Sequence, residues 1–165
     1  MIRPVPDRPL ANQESVWDFP RPSIAQPVSA QLRIVLSGRT IADTLRGVRT
    51  IETSHPPTYY FPRDDVEEEV LRPADGSSFC EWKGSAVYLD IVVGDAVRRR
   101  AAWSYPRPTP SFAIIRDHVA FYADAMDACF VNNEQVRPQP GGFYGGWITS
   151  SLAGPFKGVP GSTGW

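Results

Sequence analysis

The chain has 165 residues, with 17 basic and 18 acidic side chains and a formal charge of −1. A length of this order supports one folded unit that buries roughly two thirds of its unfolded surface, so a core needs neither metal nor disulfide staples. The balanced charge supplies no overall field to favour nucleic acid or an anionic membrane, and no window of sequence is apolar enough to span a bilayer.

The opening MIRPVPDRPLANQ lacks the hydrophobic stretch of a signal peptide, which leads to the expectation of a soluble, cytoplasmic protein. Residues 1–30 carry Pro4, Pro6, Pro9, Pro20, Pro22 and Pro27, a density that forbids regular helix and predicts an extended strap anchored by Trp17 and Phe19. A β-rich body is expected over residues 31–137. It begins with QLRIVLSGRTIADT, a hairpin around Ser37-Gly38. GVRTIETSHPPTYYFP follows as a strand in which Val48, Thr50 and Glu52 alternate with Arg49, Ile51 and Thr53 until Pro56 and Pro57 end the ladder. The acidic PRDDVEEEVLR segment reads either as one helical turn or as a charged edge strand.

SAVYLDIVV and AVRRRAAWSY form a second hairpin around Gly94-Asp95. A loop of even length sets Asp90 opposite Arg99, Ala86 opposite Trp103 and Gly84 opposite Tyr105, with Tyr88 on the same side. Small residues then face large rings, which makes an aromatic shelf. PRPTPSFAII predicts a helical turn with Thr109 as N-cap and Pro110 first, HVAFY and DACFV predict strands, and Asn132-Asn133 turns into EQVRP. Residues 138–165 are too rich in Gly and Pro for helix or central strand. They predict a second strap, packed on the core by Phe143, Trp147, Phe156 and Trp165.

Candidate chemistry concentrates in FCEWKG, residues 79–84. In a strand Cys80 and Trp82 point one way and Glu81 and Lys83 the other, and a bulge at Gly84 brings Lys83 onto the shelf. There the amine has three readings: a cation over the rings, a nucleophile or base if desolvated, or a surface partner of Glu81 or Glu52. Cys80 is either a small buried hydrophobe or a thiolate activated by Lys83 or His55, and pairing with Cys129 runs against a cytoplasmic setting. Glu52 and His55 stand three apart just before the proline break, placed at a cavity rim for acid–base work or for local hydrogen bonding, and Tyr59 and Tyr60 add hydroxyls. The run of Asp64, Asp65, Glu67, Glu68 and Glu69 reads as a solvated face rather than a cation site. Without a Cys-x-x-Cys pair, and with His55 and His118 far apart, neither metal nor other cofactor is expected; GGFYGGW and GPFKGVPG also lack the Gly-Lys-Ser/Thr ending of a phosphate loop.

ETSHPPTYYFP, FCEWKG, AAWSYP and VRPQPGGFYGGWIT together resemble the bacterial family called domain of unknown function 427, from about Trp17 to the end of the chain. No motif supports the nucleotidyltransferase label sometimes attached to that family. The resemblance implies a mainly β fold of small antiparallel sheets packed as a β-tent, like the Mss4-like proteins, the B-type methionine sulfoxide reductases and the drug-binding domain of cereblon, with one or two short helices. Those relatives carry zinc on Cys-x-x-Cys pairs that this sequence lacks. The cereblon-like cage of tryptophans implies a comparison with Trp82, Trp103, Tyr105 and Tyr60.

Three functional expectations follow. The first is a small-molecule binding domain whose pocket is walled by Trp82, Trp103, Tyr105, Tyr60 and Tyr88, with Glu52 and Lys83 as convergent polar groups. The second is a small enzyme with Cys80 or Lys83 as nucleophile and Glu52 or His55 as acid or base. The third is a protein-interaction module that presents its Gly-aromatic tail. The expected partner is an unidentified small molecule, not nucleic acid or membrane, and the expected state a monomer or weak homodimer.

Overall fold

Apolar side chains alternate along strands such as Leu32–Leu36 and Gly84–Val93, and the computed structural model, which describes residues 3–165, folds the chain into two main antiparallel sheets. In chain order the first strands are Glu14–Ser15 (β1), Ile24–Pro27 (β2), Leu32–Leu36 (β3), Arg39–Thr44 (β4), Val48–Ile51 (β5) and Thr58–Pro62 (β6). Next come Leu71–Cys80 (β7), Gly84–Val93 (β8), Ala96–Ser104 (β9), His118–Phe121 (β10) and Ala128–Val131 (β11). Four two-residue strands complete the set: Glu134–Gln135 (β12), Arg137–Pro138 (β13), Trp147–Ile148 (β14) and Leu152–Ala153 (β15). The larger sheet has seven strands in the order β2-β5-β6-β10-β9-β8-β7, and the smaller has four in the order β12-β11-β3-β4. The helical segments are short 3₁₀ turns, the longest being Pro110–Ile115 after the expected Thr109 cap. The result is mainly β and antiparallel, consistent with a β-tent-like fold.

The core lies between the two sheets. Leu32, Ile34 and Leu36 from β3 meet Tyr59 and Phe61 from β6, Leu89 and Ile91 from β8, and Val119 and Phe121 from β10, with Trp147 closing one side. Tyr60, Trp103 and Ala120 fall between these positions in their strands and so emerge on the opposite face of the seven-stranded sheet. There they form a second apolar cluster with Ala86, Tyr105, Phe112 and Ile115. The Pro110–Ile115 turn packs on this face through Phe112 and Ile115, and Phe143, Tyr144 and Lys157 of the C-terminal strap line the hollow above it.

The two straps hold one another, and their contacts form a third apolar cluster with Ile51. β1 pairs in parallel with β15, Asp7 N–H donates to the Gly154 carbonyl at 2.8 Å, and the Trp17 indole donates to the Pro155 carbonyl at 2.9 Å. Trp17 and Phe19 are buried, and Trp17 packs against Trp165 with ring centroids 5.6 Å apart. Residues 24–27 lie within the region expected to be strap, yet they form the edge strand β2 against β5. The acidic segment combines both expected readings: a helical turn does start at Pro62, and Leu71 and Arg72 at its end open the edge strand β7. The segment forms two 3₁₀ turns, Arg63–Asp65 and Glu68–Val70, separated by extended backbone. Its carboxylates face arginines: Asp65 meets Arg46, Glu68 meets Arg63, and Glu67 and Glu69 both meet Arg39.

Two local readings of the sequence are corrected. The β8–β9 hairpin follows the expected pairing only near its turn, where Ile91 opposes Arg98; beyond a bulge the pairs are Leu89 with Ala102, Tyr88 with Trp103 and Val87 with Ser104. Two extra residues of β9 are absorbed at the bulge, where Arg100 adopts φ 49° and its N–H is held by Asp90 Oδ1 at 2.7 Å. A shift of two keeps every side chain on its face, so the aromatic face survives although its opposed pairs change. The second correction concerns FCEWKG, which is not one continuous strand. Cys80 ends β7 opposite Gly84, and Glu81, Trp82 and Lys83 form the connecting loop. Gly84 takes φ 108°, a conformation side chains disfavour, and a Cβ there would press on the Arg107 carbonyl. Thr109 clamps the loop from the other side, its N–H on the Lys83 carbonyl at 3.0 Å and its hydroxyl on the Trp82 carbonyl at 2.5 Å.

Candidate functional site

The outer face of the large sheet is the floor of a cavity of about 450 Å³. Tyr60 from β6, Ala86 and Tyr88 from β8, and Trp103 from β9 form that floor together with Tyr105 and Tyr122, which directly follow β9 and β10. The walls come from His55 and Pro56 in the proline break, from Cys80 and Lys83 at the β7–β8 loop, and from Phe143, Tyr144 and Lys157 of the C-terminal strap. Both lysines of the chain, Lys83 and Lys157, therefore reach one cavity from segments 74 residues apart (157 − 83).

The rings interlock. Trp103 and Tyr122 have centroids 4.6 Å apart, Tyr60 and Tyr105 are 6.5 Å apart, and His55 meets Tyr144 edge-on at 4.9 Å. The Tyr88 hydroxyl donates to Ser78 Oγ at 3.0 Å, and the Tyr122 hydroxyl donates to the Phe143 carbonyl at 3.3 Å, tying floor to walls. Trp103 retains 8% of its exposure, and that surface faces the cavity. Burial pushes the Tyr60 and Tyr105 phenols well above their ordinary range, so both remain neutral hydroxyls at any physiological pH.

His55 is fixed by Gln139, a buried residue that the sequence reading passed over. Gln139 Oε1 accepts from the Gly146 N–H at 3.1 Å, and its Nε2 donates to the Lys157 carbonyl at 2.9 Å and to His55 Nδ1 at 3.0 Å. Because a backbone donor and a backbone acceptor set which way the amide lies, Nδ1 must be the acceptor and the proton sits on Nε2. That nitrogen lies 3.8 Å from Glu52 Oε2. Burial depresses the His55 pKa to about 4, helped by repulsion from Lys157, Arg21 and Lys83. The imidazole is thus a neutral, oriented ring. Glu52 also stands 3.7 Å from Arg21.

Lys83 reaches neither Glu81 nor Glu52; among the described residues its ammonium makes no ion pair, and it lies 5.5 Å from the centroid of Phe112. Lys157 donates to the Trp165 carbonyl at 3.2 Å and lies 5.7 Å from the Tyr144 ring. Cys80 is half-buried on the cavity wall, whereas Cys129 is sealed in the core with its thiol pKa pushed up by burial. Both thiols are free. Of the residues singled out from sequence, Glu52, His55, Tyr60, Cys80, Lys83, Tyr88, Trp103 and Tyr105 come together around the cavity. Trp82 does not line it, because the loop turns its side chain aside to pack against the outer cluster. Gln139, Lys157, Tyr122 and Tyr144 join the site without having been expected there. The one signal for Lys157 is its aromatic-Lys-Gly setting, shared with Lys83.

Among the described residues no three His, Cys, Asp or Glu side chains gather into a metal-binding group, and no helix is long and apolar enough to cross a membrane. The family model described as Domain of unknown function (DUF427) matches residues 24–132, about two thirds of the chain. The match takes in the aromatic floor and Lys83 but stops short of Gln139 and Lys157 in the strap. No curated protein matches the sequence.

Proposed function

The chain belongs to that family, whose description names no activity, and from the geometry of its cavity we propose that it is a small-molecule binding domain. The preferred ligand is planar and carries a negative charge. The observation that carries this reading is the convergence of both lysines on a floor of aromatic rings. Flat faces favour a planar ligand, and two ammonium groups against the single carboxylate of Glu52, itself beside Arg21, favour an anion. The cavity volume is that of an ordinary small-molecule site, which spans about 300–1,000 Å³.

The alternative of a small enzyme finds support in Cys80 and Lys83 on the cavity wall. Against it stands the state of His55, whose Nδ1 is occupied by Gln139 and whose Nε2 faces a carboxylate rather than a nucleophile.

A thermal-shift screen of aromatic carboxylates and phosphates against the wild type and Trp103→Ala tests the proposal. A ligand at a hundredfold excess over its dissociation constant stabilises by about 2.7 kcal/mol, or about 5–10 °C for a chain of this size. The proposal expects such shifts in the wild type and their loss in the variant. Equal shifts in both proteins would refute a site at Trp103.

A further inference from the structure

We propose that the cavity continues into a second subsite for an oxyanion, formed by Arg99 and Arg100, so that the ligand is elongated: a planar ring over Trp103 and a phosphate or carboxylate tail at the arginines. The inference rests on the binding reading above and extends it. A further hollow of about 350 Å³ adjoins the first and shares Tyr88, Tyr122 and Phe143 with it. Its remaining lining includes Arg99, Arg100 and Asp124. A molecule leaving the aromatic floor between Tyr88 and Tyr122 therefore meets two guanidinium groups.

The local backbone favours this placement. The β9 bulge carries Arg99 and Arg100 out of the regular ladder, and Arg100 is held in a left-handed conformation that non-glycine residues seldom adopt. Its guanidinium lies 4.2 Å from the centroid of Tyr88 and donates to the Asp75 carbonyl at 3.3 Å. Gly76 leaves it room, since a Cβ there would come within 2.8 Å of the guanidinium.

Charge pairing sets these arginines apart from those that are neutralised, although among the described residues Arg33, Arg98 and Arg107 likewise form no ion pair. Arg39, Arg46, Arg49 and Arg63 each meet a carboxylate, while among the described residues Arg99 and Arg100 form no ion pair, even with Asp124 on the same wall. Two unpaired guanidiniums against one carboxylate leave the hollow positive. Planar forks of this kind match phosphate and carboxylate oxygens.

The test is a tryptophan-fluorescence titration with two probes sharing one ring, 2-naphthol and 4-(2-naphthyloxy)butyl phosphate, on the wild type and an Arg99→Ala/Arg100→Ala double variant. In the wild type the phosphate probe should bind about tenfold or more tighter than 2-naphthol, the value of at least one charge-assisted hydrogen bond. That advantage should shrink as salt rises and vanish in the double variant, while 2-naphthol binds both proteins alike and so reports an intact floor. An absent advantage, or one that survives the double substitution, would overturn the subsite and leave the floor standing. Failure of 2-naphthol to bind the wild type would overturn the floor, and the subsite with it.

Discussion

Gly145 of the C-terminal strap lies against the indole of Trp103, so close that a methyl group there would overlap the edge of the ring. The strap thereby sets how far the indole projects into the cavity. Gly145→Ala should force the strap or the ring to move, at a cost of about 1–3 kcal/mol as in other overpacked sites. Urea denaturation and the wavelength of tryptophan emission check this together. A loss of stability with altered emission is expected, and unchanged values for both would show that the strap does not seat on the ring.

The pH dependence of stability should carry the signature of His55. Its pKa is about 4 in the folded protein against the 6.5 of an ordinary histidine, so between these values the unfolded chain binds more protons. The contribution of neutral His55 is then complete above pH 6.5 and falls away as the pH drops towards 4. A gap of this size corresponds to about 3 kcal/mol in total. Denaturation at pH 7 and pH 4.5 should show this extra loss in the wild type and a smaller one in His55→Gln. Identical pH slopes would mean that the imidazole is neither buried nor held neutral.

Gln139→Ala should destabilise more than an average polar substitution. It removes the acceptor of the Gly146 N–H and the donor to both the Lys157 carbonyl and His55 Nδ1. Stranded buried groups cost about 1–3 kcal/mol each, so a loss of about 2–4 kcal/mol is expected by chemical denaturation. The imidazole should also lose its fixed tautomer, which ¹⁵N chemical shifts of His55 report directly. A near-neutral substitution would show that the amide does not organise the site.

The two thiols should separate cleanly. Cys80 on the cavity wall should be alkylated in the native protein, and Cys129, 2% exposed, only after unfolding. Mass spectrometry of peptides after timed iodoacetamide treatment reads both. A ligand in the cavity should protect Cys80, and labelling of Cys129 at a comparable rate in the native protein would contradict the assigned packing.

Much of this arrangement was legible in the sequence. The hairpin around Ser37-Gly38, the turn at Asn132-Asn133 and the Thr109–Pro110 start of a helical turn are written in local turn chemistry. Period-two alternation put Tyr88 and Trp103 on one face, and an even shift of register could not undo that. β7 was not legible, because Pro73 and Gly76 interrupt its pattern and its pairing with β8 skips a bulge. The loop character of Glu81, Trp82 and Lys83 was hidden for a related reason: it depends on Thr109, 26 residues downstream of Lys83 (109 − 83). Gln139 was hidden most deeply, since its role exists only when the strap returns across the proline break to meet His55. Local pattern describes strands and turns well, whereas a roof built by a chain end crossing the sheet leaves no periodic trace.

The most direct measurement follows the indole N–H signals by NMR during titration with 2-naphthoate, a planar carboxylate. Trp103 and Trp147 offer an internal contrast: one faces the cavity, and the other is fully buried with its N–H on the Phe121 carbonyl at 3.1 Å. The account predicts a saturable shift of the Trp103 signal, little movement of Trp147, and a weaker response in Lys83→Met. Signals that stay still at millimolar probe, or that all move together without saturation, would contradict a binding cavity on this face of the sheet.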